Sequence, residues 1–587
     1  MDVRDGIPAL GVFLLVTALG FDSGGYAATA WGSSAVAVLV ALAALIARGT
    51  PRPRTPALVF VSGLAALTAW AAASTVWSSD VSGSVLEAER LLLYVGAAGL
   101  FVLAPSTRGL AAGVLGATTV LCGTGLWRWL LGSPEVPLSA DPRAAERLSD
   151  PIGYANGVGI LAAIGMLIAV GIAARAERRS PAGLAAATVP IHAATLFFTY
   201  SRGAWLALAI GLLVGIAVGP ARLQLAACAA ALAPFVALTV ALCSALDAGG
   251  ALAALVLVLA AASAAAAAAF RSARVEVAPG IRTAFAVVLV GLPVAVAAGA
   301  LVRLGGPAEA LRSFKETPAP LHGDVSGRLL SASGSNRADY WSVAWRAYEQ
   351  RPLVGEGAGT YARVWLARRP VPQPVRDAHS LYLETLAEVG PAGLLLLLIA
   401  LAAPLTGSRT RWTAAALAPY SAFLAHAAQD WDWELPAVTV AALACGAALV
   451  VPPNGSRVPR LAAVVPALLA ALALAAYAGN RTLAEATVAA DRSNYAASAD
   501  EARRARRLQP WSGEPYRLLG EAQLADGSDR EAADTFRKGL EHDRSNWELW
   551  LDLGLATDGA ERRDAWSHAA SLNPLSPELK ELGYDSR

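Results

Sequence analysis

Long apolar runs, separated by short polar connections, follow one another along most of the chain. A helix needs about 20 mostly apolar residues to cross a bilayer, so each run predicts one transmembrane helix. We predict fifteen spans, near residues 7–22, 28–47, 56–76, 89–105, 109–131, 153–174, 181–200, 203–219, 223–245, 249–270, 282–303, 385–405, 412–428, 435–452 and 461–479. The alanine-rich run at 249–270 is the weakest of these predictions, and merged runs or half-spans would lower the number of spans to about 12.

The first apolar run follows MDVRDGI, an arrangement that also resembles a secretory signal peptide. No convincing small-residue cleavage site comes after it, and further apolar runs follow. We therefore interpret it as the first span.

Arginines concentrate in every second connection, whereas the connections between them, such as FDSGGY and QDWDWELP, are mostly acidic or neutral. Cytoplasmic loops carry the excess of basic residues, so the arginine-rich set is predicted to be cytoplasmic. The N-terminus is then inside, and the loop at 132–150, the Ser333–His379 loop and the C-terminal segment are outside. The arginines are Arg48, Arg52, Arg54, Arg108, Arg175, Arg178, Arg179, Arg222, Arg271, Arg274, Arg282, Arg409, Arg411, Arg457 and Arg460.

The longest polar interruption, Ser333–Gly393, is rich in arginine and aromatic residues, and most of it belongs to a large extracytoplasmic loop predicted at 304–384. Loops of this length are usually functional or disordered. Aromatic residues are depleted in disordered segments, so we interpret this loop as the folded roof of an active site. The aromatic residues are Trp341, Trp345, Tyr348, Tyr361 and Trp365.

After Gly479 the sequence becomes polar and charged, which divides the chain into a membrane domain at 1–479 and a soluble domain at 480–587. Leu508 and His542 begin similar blocks 34 residues apart, and a third block begins near Leu572. This period is typical of tetratricopeptide helix–turn–helix repeats. The alternative is an amphipathic helical pair without kinship to such repeats.

Composition supports an all-α, polytopic membrane protein. Of 587 residues, 56% are hydrophobic and 16% are charged, against about 25% charged in soluble proteins. The net charge of +2 is too close to neutral to indicate a nucleic-acid partner. The four cysteines lie far apart inside apolar runs, which indicates packing residues, with neither disulfides nor a metal site.

Polar clusters occur at four predicted outer ends of spans, where ionisable residues are costly and therefore candidates for function. Arg202 is the sharpest case, because it breaks the orientation rule on the outer side. Its guanidinium matches phosphate oxygens in a bidentate geometry, and the alternative is an arginine that reaches lipid headgroups. The other candidates are Arg147 and Asn156 in RLSDPIGYANG, Tyr200 in TYSRGAW, Arg337 in the loop, and Asp430 in QDWDWELP.

His379 stands where the loop meets a span, in DAHSLYLETLAEVG. A neutral imidazole there would accept a proton from a hydroxyl nucleophile, although a lone histidine is more often a hydrogen-bonded boundary residue. Glu384 and Glu388 follow at helical spacing and are suited to orient the helix or bind sugar hydroxyls. No spacing of Asp, Glu and His resembles a tight metal site, and GEGAG at Gly355–Gly359 is typical of a tight turn.

In chain order, RLSDPIGYANGVG, TYSRGAW, R-x-x-x-W followed by RPLVGEGAGTY, and DAHSLYLETLAEVGPAGL resemble the O-antigen ligase/polymerase superfamily of membrane glycosyltransferases. The resemblance covers about residues 75–450. It implies transfer or polymerisation of glycan from an undecaprenyl-diphosphate-linked donor to an acceptor hydroxyl, on the outer face of a bacterial cytoplasmic membrane and without a metal ion or other cofactor.

The resemblance also implies roles for individual residues. Arg202 and Arg147 would contact the diphosphate, His379 would act at the acceptor as a base or orienting group, and Arg337 would shape the loop. We expect a glycan, lipid or protein acceptor, contacts with membrane lipids, and a protein partner for the repeat-like segment. Alternatives are a protein O-oligosaccharyltransferase, a lipid-linked glycan transporter or flippase, and a membrane-anchored scaffold.

Overall fold

The computed structural model describes residues 3–103, 106–132, 146–219, 222–246, 249–270, 298–299, 301–316, 333–407, 413–450 and 457–584. Within these ranges the chain forms helices and no strand. The helices of the membrane domain are α1 Val3–Phe21, α2 Ala28–Ala47, α3 Thr55–Ser74, α4 Val81–Leu103, α5 Thr107–Leu131, α6 Ala155–Arg175, α7 Arg179–Ala187, α8 Val189–Phe198, α9 Arg202–Val218, α10 Arg222–Ala245, α11 Gly249–Phe270, α12 Pro307–Lys315, α13 Arg337–Gln350, α14 Tyr361–Arg368, α15 Leu381–Ala402, α16 Thr413–His426, α17 Pro436–Leu449 and α18 Val464–Asp491.

The structure confirms an all-α, polytopic membrane protein. In the described part of the chain, nine helical segments are long and apolar enough to cross a membrane, and three shorter apolar helices accompany them. The predicted span at 181–200 is two helices, α7 and α8, that meet at Thr188. Most of the predicted span at 282–303 lies outside the described residues, as do most of the loop at 132–150 and Arg271, Arg274, Arg282, Arg409 and Arg411.

Two helices, α6 and α17, form the centre of the membrane domain and are buried along almost their whole length. Both are rich in alanine and glycine, and small residues allow helices to approach closely in a membrane. At Gly159 in α6, an added Cβ would lie 3.0 Å from the Cβ of Ala204 and 3.1 Å from that of Ser201. Glycine at this position therefore permits the first turn of α9 to pack directly against α6.

The aromatic loop is folded over residues 333–380. Helices α13 and α14 enclose a small core of their own, whose buried members include Tyr340, Val343, Tyr361 and Trp365. Two of these buried aromatic side chains, Tyr361 and Trp365, each donate a hydrogen bond to a backbone carbonyl. The Tyr361 hydroxyl donates to the Tyr340 carbonyl at 2.9 Å, and the Trp365 indole N–H donates to the Gln373 carbonyl at 2.9 Å. The aromatic residues thus order the loop.

Helix α15 is broken at Gly390, whose φ of 69° and ψ of −174° are not helical, directly before Pro391. A break exposes carbonyl groups that must find other donors inside a membrane protein. The GEGAG turn supplies them: Glu356 N donates to the Ala387 carbonyl at 3.1 Å, and Gly357 N donates to the Glu388 carbonyl at 2.8 Å. The tight turn predicted from the sequence is confirmed by the positive φ values of its three glycines.

The carboxylate of Glu388 holds this turn in place. Its two oxygens accept from Gly359 N at 2.8 Å and from Tyr361 N at 2.9 Å, at the point where α14 begins. Glu388 is buried, so both backbone N–H groups would otherwise lose their partners. This contact joins the loop to α15.

Glu388→Gln is expected to loosen the turn. The glutamine amide has one acceptor oxygen for the two backbone donors, Gly359 N and Tyr361 N, and its NH₂ group would face the second donor. The cost should be about 1–3 kcal/mol for the unsatisfied buried group. Hydrogen exchange of the amides at 359–361 measures it directly, and exchange should be faster in the variant. Glu349→Gln, on the exposed face of α13, is the control and should leave these amides unchanged.

The change of composition at Gly479 does not coincide with the end of a helix, since α18 continues to Asp491. The helices that follow form a C-terminal region, hereafter the tail. Leu508, His542 and Leu572, from which the predicted blocks begin, are the last residues of α19, α21 and α23. Kinship to tetratricopeptide repeats stays a prediction. The tail helices are α19 Tyr495–Leu508, α20 Glu514–Ala525, α21 Asp529–His542, α22 Trp547–Leu555, α23 Gly559–Leu572 and α24 Pro577–Glu581.

The tail is docked on the aromatic loop through α14. Arg363 lies between Asp543 of the tail, at 2.6 Å, and Asp80 at the start of α4, at 2.8 Å. Nearby, Arg369 donates to Asn573 Oδ1 at 2.8 Å. A charge-assisted contact at each position fixes the tail against the loop.

Candidate active site

Asp430 is the centre of a buried polar network in the turn after α16. Its Oδ2 accepts from Arg337 Nη2 at 2.7 Å and from Asn156 Nδ2 at 2.6 Å, and its Oδ1 accepts from the Tyr154 hydroxyl at 2.6 Å. Only 1% of Asp430 is exposed. Burial raises the pKa of this carboxyl, but the positive charges of Arg337 and of a protonated His426 outweigh it, so the pKa is lowered overall.

Arg147 extends this network on the far side of Asn156. Its Nη2 donates to Asn156 Oδ1 at 2.5 Å, and its Nε donates to the Thr199 carbonyl at 2.8 Å. Thr199 belongs to the TYSRGAW motif that precedes α9, so a single arginine joins the first two sequence clusters. Since Arg147 is buried and makes these contacts within the chain, the geometry favours a role in positioning these segments.

Arg202 is the first residue of α9, and Tyr200 stands two positions before it. Arg202 Nη2 donates to the Ser333 carbonyl at 2.7 Å, in the segment that leads into α13 and Arg337. Ser201 caps the helix, with its hydroxyl accepting from Ala204 N at 3.3 Å. A guanidinium at a helix N-terminus adds its charge to the positive end of the helix dipole, which is an arrangement suited to an anion.

His379 lies beside the Asp430 network. Its ring packs on Tyr340 with the ring centres 4.9 Å apart and lies 6.5 Å from the Trp431 ring. His379 Nδ1 is 3.1 Å from the Asp377 carbonyl oxygen. A carbonyl can only accept, so Nδ1 carries the hydrogen and Nε2 keeps its lone pair. Burial and the nearby charge of Arg337 lower the pKa of His379 to about 4, which leaves the imidazole neutral at physiological pH.

Strained backbone is concentrated around these residues. Six non-glycine residues have a positive φ in the described chain, and four of them adjoin the candidate residues: Tyr200 at 46°, Ser335 at 52°, Asn336 at 65° and His379 at 55°. Such conformations persist where the surrounding structure enforces them, and they cluster at functional sites.

A cavity of about 700 Å³ adjoins the same loop, on the side of Asp377 and Glu384. Its inner walls are apolar and include Trp31, Leu64, Leu67, Leu397, Leu401 and Phe423. Its polar rim includes Glu87, Arg90, Arg376, Asp377, Glu384 and Glu434. Glu384 therefore lines this cavity, and its carboxylate accepts a hydrogen bond from Ala378 N. The other residues predicted from the sequence make their contacts around Asp430 or before α9.

Three carboxylates on the rim, Asp377, Glu384 and Glu434, have oxygen atoms within 4.8 Å of one another, close enough to share a cation. The sequence spacing does not reveal this group, because Glu434 lies on another segment. Arg90 forms an ion pair with Glu434 and supplies positive charge beside it. Burial raises the pKa of Asp377 to about 7, although Arg90 and Arg376 act in the opposite direction. Partial protonation of Asp377 therefore also reduces the negative charge of the three carboxylates.

Six of the eight sequence candidates fall into one connected area, while Glu384 lines the apolar cavity and Tyr200 precedes α9. Arg147, Asn156, Arg337 and Asp430 form the network itself, His379 packs beside it, and Arg202 contacts the segment before Arg337.

Residues 187–398 match the O-antigen ligase family. This range contains Tyr200, Arg202, Arg337, His379 and Glu384, and the match supports the relation to the ligase superfamily. No curated protein matches the chain.

Two residues of the area were not singled out from the sequence. Tyr154 donates to Asp430 and also accepts from Asn156 Nδ2 at 2.9 Å. Arg90 contacts Glu87 and Glu434 beside the cavity. The signal for Arg90 was present, since a charged residue within the apolar run LEAERLLLYVG is expensive unless it has a partner. Tyr154 carries no comparable signal, because tyrosines are common at span ends.

Proposed function

We propose that this protein transfers glycan from an undecaprenyl-diphosphate-linked donor to an acceptor hydroxyl, on the outer face of a bacterial cytoplasmic membrane. The observation that carries the proposal is the placement of His379 beside the network of Arg337 and Asp430, in a loop whose Asp377 and Glu384 line a large apolar cavity. The match of residues 187–398 to the O-antigen ligase family supports a glycosyltransferase of this class.

The reaction requires a base, a cationic site for the leaving group and a dry binding site for the lipid. The acceptor oxygen attacks the anomeric carbon of the donor sugar, and the bond from that carbon to the diphosphate breaks. The hydroxyl proton goes to Nε2 of His379, which general base catalysis requires to be neutral. The negative charge that develops on undecaprenyl diphosphate is stabilised by Arg202, with Arg337 holding the adjacent segment in position.

The cavity of about 700 Å³ suits the isoprenoid part of such a donor. Apolar walls would bury the lipid chain, and each buried methylene contributes about 0.8 kcal/mol. The rim, where Arg90 and Arg376 lie, would face the polar end of the lipid. The same cavity is suited to a lipid acceptor, and a protein serine or threonine remains the alternative acceptor.

The function is tested with purified protein in nanodiscs and a synthetic undecaprenyl-diphosphate oligosaccharide, with and without EDTA. Release of undecaprenyl diphosphate together with a ladder of longer glycans indicates a polymerase. Release only after a lipid or protein is added indicates a ligase or a protein O-oligosaccharyltransferase. Movement of the donor across a liposome bilayer without release contradicts the proposal and indicates a transporter. Equal rates with EDTA support catalysis without a metal ion, although three carboxylates lie together on the rim.

Arg202→Ala is expected to lower the rate of transfer by about 10²–10³-fold, because a preorganised donor to the developing charge is lost. Arg202→Lys should recover part of the rate, since it restores the charge but not the bidentate geometry. Single-turnover release of undecaprenyl diphosphate is the measurement. Arg346→Ala, on the exposed face of α13, is the control. Full activity of Arg202→Ala in correctly inserted protein would remove Arg202 from the mechanism.

A further inference from the structure

A second cavity, of about 460 Å³, lies where the tail meets the membrane domain and the aromatic loop. It is hereafter called the tail cleft. The start of α4 and residues of α14 form one side, and the other side belongs to the tail, with Gln509, Trp511, Trp547 and Glu548 among its lining residues. Its volume falls in the range of about 300–1,000 Å³ typical of small-molecule sites, which often form at domain interfaces.

The two tryptophans of the tail cleft differ from the other two tryptophans of the tail. Trp550 donates its indole N–H to the Arg544 carbonyl at 2.9 Å, and Trp566 donates to the Leu551 carbonyl at 3.2 Å. For Trp511 and Trp547, no acceptor is found among the residues that the structure describes. Both side chains are half-buried and line the cleft. Each therefore offers an apolar face and a donor to a bound molecule.

A buried acceptor without a partner lies beside them. Gln509 is 6% exposed; its Nε2 donates to Asn480 Oδ1 at 2.6 Å, while its Oε1 accepts no hydrogen bond. A buried polar atom without a partner is destabilising, so it usually indicates a ligand or a water that supplies one. The oxygen itself is buried just behind the lining of the cleft, so a ligand hydroxyl would satisfy it after a small movement of the Gln509 side chain.

The charges of the tail cleft decide which kind of molecule fits. Its lining includes four carboxylates, from Asp80, Glu89, Glu514 and Glu548, and two guanidinium groups, from Arg363 and Arg376. Most of these groups already have partners within the protein. Arg363 bridges Asp80 and Asp543, and Arg517, outside the lining, pairs with Glu514. Arg376 donates to the Tyr26 hydroxyl, and Glu89 accepts from Asn480. With Asp543 and Arg517 included, five carboxylates face three guanidinium groups. The excess of negative charge disfavours an anionic polymer. Aromatic faces, carboxylates and amides together suit the C–H faces and hydroxyl groups of an uncharged sugar.

The tail cleft also adjoins the apolar cavity. Four residues, Gly83, Leu86, Ala362 and Arg376, line both cavities. Arg376 stands three positions before His379, so no more than about 11 Å of extended chain separates this shared wall from the proposed base.

We propose that the tail cleft binds an uncharged saccharide segment of a substrate of this enzyme, between Trp511 and Trp547. The saccharide belongs either to the lipid-linked donor or to the acceptor. The assignment of the saccharide to a substrate rests on the proposed glycan transfer, whereas saccharide binding itself can be measured without any transfer.

The binding test applies the full-length protein in nanodiscs to an array of neutral and acidic bacterial glycans. Retained glycans are then titrated by calorimetry. We expect neutral glycans to bind, and Trp511→Ala and Trp547→Ala each to weaken binding about tenfold or more, as for a central aromatic contact. Trp550→Ala is the matched control and should change the dissociation constant little. The proposal is overturned if no glycan is retained, if acidic glycans bind as well as neutral ones, or if the two variants bind normally.

Two substitutions that leave a sizeable apolar side chain at Trp511 disturb folding less than alanine does. Trp511→Phe keeps an aromatic face, and Trp511→Leu keeps only an apolar side chain, so binding should be stronger in the first. Equal binding of both would contradict stacking on a sugar.

Transfer kinetics then distinguish the two sources. A raised KM for the lipid-linked donor in Trp511→Ala assigns the saccharide to the donor, and a raised KM for the acceptor assigns it to the acceptor. Unchanged values for both substrates overturn a role of the cleft in transfer. If the wild-type protein transfers no glycan at all, the proposed function fails, and the array alone decides whether the cleft binds saccharide.

Discussion

His379→Ala is expected to lower the rate of glycan transfer by about 10²–10⁴-fold, the usual contribution of a positioned general base. Binding of the donor should change little, because the diphosphate is assigned to Arg202. The geometry is compatible with this proposed role, since Nδ1 faces the Asp377 carbonyl at 3.1 Å and the ring packs on Tyr340. Single-turnover rates and donor titrations on the same protein separate the two effects.

His379→Gln distinguishes a base from an orienting group. Glutamine retains hydrogen-bonding capacity but cannot take a proton, so the variant should be almost as slow as His379→Ala. His568→Ala, on the exposed tail, is the control for loss of a histidine elsewhere. A His379→Gln variant with more than about a tenth of the normal rate would assign His379 an orienting role and require another base.

The pH profile gives a further check on the same residue. Burial and Arg337 disfavour the protonated imidazole and lower the pKa of His379 to about 4. The neutral form, which is the active base, therefore predominates above that pH. Protonation of His379 should depress the rate only as the pH falls toward about 4, and an inflection near the unperturbed value of about 6.5 is not expected from this residue.

Asp430→Ala is expected to destabilise the membrane domain by about 3–5 kcal/mol, the usual cost of removing one partner from a buried ion pair. The substitution leaves Arg337 without its carboxylate and removes the acceptor of Tyr154 and Asn156. Thermal unfolding in nanodiscs and the rate of transfer should both fall. Asp430→Asn keeps one acceptor oxygen but no charge, so its stability and its rate of transfer should lie between those of Asp430→Ala and the wild type.

A surface pair provides the matched control for this prediction. Asp534 and Arg537 are 2.5 Å apart, but 61% and 43% of their side chains are exposed. Solvent screens such pairs, so Asp534→Ala should cost less than about 1 kcal/mol. Similar losses of stability in Asp534→Ala and Asp430→Ala would show that the Asp430 network has no special part in holding the site together.

The predictable part of this structure is the part that local sequence determines. Hydropathy predicted the helices α2, α3, α5 and α6 closely, because the hydrogen bonds of a membrane helix lie within one segment. Glycine and proline marked the GEGAG turn and its positive φ values. The break at Gly390 was not predicted, although the sequence Gly390–Pro391 carries its signal. The span predicted at 181–200 agrees with the apolar segment Arg179–Phe198. Its division into two helices at Thr188, next to Pro190, was not predicted.

The candidate site was predictable as a set of residues but not as an arrangement. The motifs of TYSRGAW and DAHSLYLE indicated Arg202 and His379, and the orientation rule indicated that their ends share one side of the membrane. Nothing local pairs Arg337 with Asp430, which lie 93 residues apart in the chain. Glu384 has an ordinary helical spacing from His379, yet it lines the apolar cavity on the other side of the loop.

The sequence by itself therefore determined the class of the protein, the majority of its helices and the segments that hold the candidate residues. Only the tertiary structure decided which carboxylate binds which arginine, which side of the loop faces the apolar cavity, and that Arg363 holds the tail over α14. The physical reason is that hydropathy and helix-breaking residues act within about 20 positions of the chain. Partners across the fold depend instead on how closely helices pack, which small residues such as Gly159 permit but do not specify.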